Sequence, residues 1–109
     1  MLAMAFALVA VLVAGPTQAL TLARDGTPTV TVVLPTEATA AERHAAADLA
    51  AYLGRICGGQ FTVSDEAQAP AGPRICVGPT ECAAAHGVKA AELGPEEWVI
   101  RTVDGGLIL

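Results

Sequence analysis

The residues able to do chemistry are few, and their spacing argues against a catalytic cluster. Glu96 and Glu97 are adjacent carboxylates. Glycoside hydrolysis needs two carboxyl groups facing each other across a sugar, roughly 5 to 9.5 Å apart. Neighbours on an extended chain point to opposite faces, so this pair reads as a solvated junction between a loop and a strand. His44 precedes Asp48 by four residues, a helical spacing that makes a surface pair worth about a few tenths of a kcal/mol. A catalytic His–Asp dyad also needs a nucleophile beside it, and the sequence places none there. His86 stands among alanines. Gly78-Pro79-Thr80 follows a strand pattern and opens a helix, a place where anions bind. Pro79, however, removes an N–H donor, and neither a glycine fingerprint nor a P-loop lysine is present. The segment reads as a plain strand-to-helix turn. Trp98 could stack on a sugar, but at the start of an apolar strand it reads as a core or domain-interface residue. It is the one interface candidate. No catalytic, cofactor-binding or metal-ligating residue is expected.

The cysteines are three: Cys57, Cys76 and Cys82. Their spacings lack the close C-x-x-C pair usual in a zinc site. An odd count leaves one thiol free in an oxidising compartment. Cys76 reads as a small buried hydrophobe in a strand. A Cys57–Cys76 or Cys57–Cys82 bridge is left undecided by the spacing.

The chain has 109 residues and a net charge of -5, enough for one small domain. Its first charged residue is Arg24. Before it, Met1 to Ala14 is almost wholly apolar, Gly15-Pro16 breaks the run, and Thr17-Gln18-Ala19 is a small-x-small exit. Residues 1–19 therefore read as a secretory signal peptide, although no Lys or Arg supplies a positive start. The alternative is a short membrane anchor, but the apolar run falls short of the about 20 residues that span a bilayer. Residue 20 is Leu, so a lipid-modified Cys after the cut is not indicated. The reading is an exported chain without a stable membrane span. Basic clusters are lacking and aromatics are few, which excludes nucleic acid as the expected partner.

The elements that must position these residues follow an α/β order. Leu20 to Pro28 is a short lead-in. Val30 to Leu34 is a strand whose second half is apolar on both faces, as in a central strand covered on both sides. Thr39-Ala40-Ala41-Glu42 is a capping box opening a helix that runs to about Ile56. Ala45, Leu49, Tyr52, Leu53 and Ile56 fall on one face at 3-4 spacing, and Gly58-Gly59 stops the helix. Phe61 to Val63 and Arg74 to Val77 are strands separated by a Pro- and Ala-rich loop. Thr80 caps a short helix, Glu81 to His86. Trp98 to Val103 and Leu107 to Leu109 form a hairpin about Asp104-Gly105-Gly106. The expected fold is a small mixed sheet of about five strands, β-α-β-β-(short α)-β-β, with one long helix packed on it.

Such a sheet is under-covered. Five strands about 4.8 Å apart span roughly 19 Å, and one helix covers about 10 Å of that. An open α/β domain wants a second long helix. The expectation is therefore an accessory domain over residues 20–109, cut short before its closing helix. Expressed alone, it should be marginal or aggregation-prone.

A family likeness rests on Val33-Leu34-Pro35, on Ala41-Glu42-Arg43-His44-Ala45-Ala46-Ala47-Asp48-Leu49-Ala50-Ala51-Tyr52-Leu53, on Gly58-Gly59 and on Phe61-Thr62-Val63. It continues through Ile75-Cys76-Val77-Gly78 and Leu93-Gly94-Pro95-Glu96-Glu97-Trp98-Val99-Ile100-Arg101-Thr102. Together these resemble the N-terminal domain of bacterial α-glucuronidases (glycoside hydrolase family 67 type). They are also similar to the N-terminal domain of bacterial β-hexosaminidases. The likeness covers about Val30 to Leu109. It implies a non-catalytic α/β domain beside a TIM barrel, with the catalytic carboxylates in the barrel. It further implies xylan or amino-sugar glycan breakdown, a partner barrel downstream or in another chain, polysaccharide contact through that barrel, and no cofactor. An independent carbohydrate-binding module and a small exported enzyme are the competing readings. The first needs an exposed aromatic platform, and the aromatics are only Phe6, Tyr52, Phe61 and Trp98.

Overall fold

A computed structural model describes residues 19–109; the signal-peptide reading lies almost wholly outside these residues. The first element is a small antiparallel hairpin, β1 (Ala23–Arg24) and β2 (Thr27–Pro28). It turns on Asp25-Gly26, both at positive φ. The same Asp-Gly pair marks the hairpin at 104–105, so the lead-in carried a turn signal of its own.

The main sheet has five strands in the order β4-β3-β5-β7-β6. These are β3 (Thr31–Leu34), β4 (Val63–Asp65), β5 (Arg74–Cys76), β6 (Arg101–Val103) and β7 (Gly106–Ile108). β3, β4, β5 and β7 run parallel, and β6 returns antiparallel at one edge. With the long helix α1 (Ala40–Cys57) and the short α2 (Glu81–Ala85), this is the small mixed α/β fold expected from the sequence. Two strands move by more than one residue from their expected limits. Phe61 is buried just ahead of β4 rather than within it, and β6 begins at Arg101 rather than Trp98.

Register decides which residues look to which side. Val32, Ile75 and Leu107 are lateral partners, as are Val33, Cys76 and Ile108 one residue on. The first row joins Val30, Leu34, Phe61, Val77 and Ala46 in the larger core, beneath α1. The second row faces α2, where Ala83 packs with Val103 and Ile108. Val32 and Val33 are both fully buried, as a central strand covered on both sides requires.

α1 starts as the capping box dictates: the Thr39 hydroxyl accepts from the Glu42 N–H, and Glu42 accepts from the Thr39 N–H. The helix ends at Gly58, whose φ of 79° is the left-handed stop. The following Gly59 has a separate duty. A Cβ there would lie 2.4 Å from the Gly26 carbonyl oxygen and 2.6 Å from Pro28, so only glycine lets the β1–β2 hairpin seat against the end of α1.

The buried stripe of α1 differs from the expected one. Ala46 is fully buried, and Leu49, Ala50, Leu53 and Cys57 pack onto the core with it. Ala45 is exposed, and Tyr52 and Ile56 are 61% and 81% exposed. Alanines on every side of the helix blur the apolar stripe. The sheet then selects the 46-49-50-53-57 line, which has the narrow alanine surface a close helix–sheet contact needs. α1 lies over β3 and β4, so the β7–β6 side is not beneath it. There Thr102, the partner of Leu107, is exposed, and so is Ile100 before it.

Candidate functional site

In open α/β sheets ligands bind outside the carboxyl ends of the strands, where the winding reverses. Here that point falls between β3 and β5. The chain leaves β3 through α1 toward β4, and leaves β5 through α2 toward the β6–β7 hairpin on the other side, with the two helices on opposite faces. The Gly78-Pro79-Thr80 turn occupies the gap. Gly78 donates to the Leu109 carbonyl and Thr80 to the Gly78 carbonyl. The Thr80 side chain, 2% exposed, accepts from the Ala83 N–H and caps α2.

Two carboxylates already fill this place. Glu66, in the turn after β4, accepts the Glu81 N–H with both oxygens, at 2.8 and 3.0 Å. Glu42, holding the start of α1, lies against Gly78. The helix ends, ordinarily anion-binding places, are thus neutralised from within the chain. Every buried side-chain polar atom among the described residues has a hydrogen-bond partner, so none is left aimed at a ligand. The plain-turn reading of Gly78-Pro79-Thr80 agrees with this arrangement. The Glu66 cap had no signal in the sequence, since it spans fifteen residues through tertiary contact.

The other sequence candidates stay apart. His44 Nε2 lies 3.3 Å from Asp48 Oδ2 on open α1 surface, and the two side chains are 79% and 58% exposed. This is the local pair the spacing predicts. His86 Nδ1 lies 2.9 Å from the Cys82 carbonyl at the end of α2. Glu96 and Glu97 are exposed beside a turn. No group of three or more metal-ligating side chains gathers among the described residues.

Trp98 is 76% exposed, which overturns the core half of its expected role and leaves the interface half. It stands at a mostly apolar notch of about 230 Å³, lined by Pro79, Ala83, Val88, Glu97 and Ile108 among others. That is below the range of about 300 to 1,000 Å³ typical of small-molecule pockets. The notch offers shape and apolar surface, with no arrangement for bond chemistry.

The cysteines sort by face. Cys57 packs with the α1-side core, whereas Cys76 shares the α2-facing row with Ile108. The sheet stands between them. Cys76 is fully buried, as expected, and all three thiols are free. Burial first, and then the neighbouring Cys82 thiol, push the Cys76 thiol up to about 12, so it stays protonated at neutral pH.

Among the described residues no helix is long and apolar enough to cross a membrane. No protein-family model, curated protein or solved structure matches this chain.

Proposed function

We propose that this chain is an exported, non-catalytic accessory domain of the kind that precedes the barrel of α-glucuronidase-type glycoside hydrolases, with a β-hexosaminidase-type parent as the alternative. Its work is to pack beside a TIM-barrel domain and shape that domain's edge, while the barrel handles the polysaccharide. The observation that carries this reading is the pairing of a filled switch-point crevice with exposed apolar side chains on the segment leading into the β6 edge strand. The crevice, where an α/β sheet would hold a ligand, is closed by Glu66, Glu42 and the Thr80 turn. Trp98 and Ile100 meanwhile present apolar side chains 76% and 64% exposed. A tryptophan exposed beside an apolar notch supports contact with another macromolecule, where tryptophans are common anchors. Export is supported by the leader pattern of Met1 to Ala19.

Trp98 is the single tryptophan, so its fluorescence reports on that surface alone. Titration with a separately expressed α-glucuronidase-type barrel is expected to shift the emission to the blue and protect it from iodide. Unchanged emission at saturating barrel concentration would contradict the reading. A shift produced by glucuronoxylan alone would instead favour a carbohydrate-binding module. Hydrolysis of an aryl glucuronide or aryl hexosaminide by the chain itself would establish an enzyme.

A further inference from the structure

Cys76 and Cys82 form a second site, independent of the Trp98 surface. Three observations bring them together. Register puts Cys76 on the α2-facing side of β5, level with Ile108 of β7. The next residue of α2 after Cys82, Ala83, is buried against that same Ile108 and Val103. Cys82 itself lines a groove with Arg74, Val103 and Gly106, so it overlies the side of β5 that carries Arg74 and Cys76. Cys82 and Thr80 are both close enough to perturb the Cys76 thiol, Cys82 upward and Thr80 downward. Cys82 is partly exposed while Cys76 is fully buried.

We infer that Cys76 and Cys82 are a dithiol that closes to a disulfide by exchange with a small soluble disulfide, stapling α2 to β5. The accessible thiol reacts first. The Cys82 thiolate attacks one sulfur of the small disulfide RSSR, and one RS⁻ leaves, taking up the proton that Cys82 gave to solvent. The Cys76 sulfur then attacks the Cys82 sulfur of the mixed disulfide. The Cys82–SR bond breaks, and the second RS group departs as RSH with the Cys76 proton. Two protein thiols are oxidised by two electrons, and one RSSR is reduced to two RSH. Access sets this order, because exchange requires a thiolate that the oxidant can reach. Cys57 takes no part, since it lies on the other face of the sheet.

The test uses the full chain equilibrated with reduced and oxidised glutathione, then alkylated and cleaved with trypsin. Both cysteines fall in one peptide, Ile75 to Lys89. That peptide is expected to lose two hydrogens and take no alkyl group, while the Cys57 peptide is alkylated. The equilibrium constant for closure should be at least tenfold larger in buffer than in concentrated urea. Cys76→Ala should accumulate a glutathione adduct on Cys82. In Cys82→Ser the folded chain should leave Cys76 unmodified. Equal closure in buffer and urea would overturn the proposal. So would a bridge that includes Cys57, or glutathione on Cys76 in the folded Cys82→Ser chain. The comparison in buffer and urea needs only the unaltered chain, so misfolding of a variant does not remove the test.

Discussion

At the scale of single residues, Cys76 makes the sharpest physical statement. Its native thiol holds its proton up to about 12, against an ordinary value of 9.0, because burial and then Cys82 disfavour the thiolate. Above pH 9.0 the unfolded chain therefore binds fewer protons at this residue than the native chain does. The contribution to stability is complete below pH 9.0 and is lost as pH rises toward 12, by at most about 1.4 kcal/mol per pH unit. Arg74 and Thr80 oppose the shift without cancelling it. Urea denaturation from pH 8 upward should show this slope in the unaltered chain and a flatter one in Cys76→Ala; parallel slopes would refute it. The burial of Cys76 was legible, since a cysteine in an apolar strand reads as core. Its partnership with Cys82 was not drawn from the sequence, although strand parity and the Thr80 cap together carry the signal. Trp98 could not be placed from the sequence, because nothing in Glu97-Trp98-Val99 says whether β6 begins before or after it.

At the scale of elements, α1 shows how a correct helix can be given a rotated face: Leu49 and Leu53 pack on the core as expected, whereas Ala45, Tyr52 and Ile56 are exposed. Its two ends were plain in the sequence, in the Thr39–Glu42 box and the Gly58 stop. Its rotation about the axis was not, because alanine supplies an apolar methyl at every angle. The buried line through Ala46 makes a direct prediction. Ala46→Leu should destabilise the chain by about 1–3 kcal/mol through overpacking against the sheet, whereas Ala45→Leu should stay within about 0.5 kcal/mol. Thermal or urea denaturation distinguishes them, and the reverse order would restore the face expected from the sequence. For α2, Thr80→Ala removes a buried cap and should cost about 1–2 kcal/mol. Glu66→Gln should cost less, about 0.3–1 kcal/mol, by removing charge from the helix start. The β1–β2 hairpin escaped the sequence reading for a physical reason. Its strands are two residues long, too short for alternation to register, and only Asp25-Gly26 marks it.

At the scale of the whole molecule, the succession of strands and helices was legible from the apolar runs and the turn residues, whereas the lateral order β4-β3-β5-β7-β6 and the two-faced core were not drawn from them. The mixed sheet with its Asp104-Gly105 hairpin agrees with that reading. The closure of the switch point by Glu66 and Glu42 was not legible, since it depends on side chains meeting across loops distant in sequence. The uneven cover of the sheet has a consequence in solution. The exposed segment before β6, which carries Trp98 and Ile100, should promote weak self-association, which Trp98→Ser with Ile100→Ser should reduce. Sedimentation velocity over a range of concentration checks this, and a concentration-independent monomer with or without the changes would contradict it. The central claim is that the Trp98 surface is an interface for a catalytic barrel. The most direct measurement is the affinity of an α-glucuronidase-type barrel for the unaltered chain and for Trp98→Ala. The account predicts saturable binding that weakens at least tenfold in Trp98→Ala, about 1.4 kcal/mol or more, as for a buried aromatic anchor. Absence of binding, or equal affinity for both chains, would contradict it.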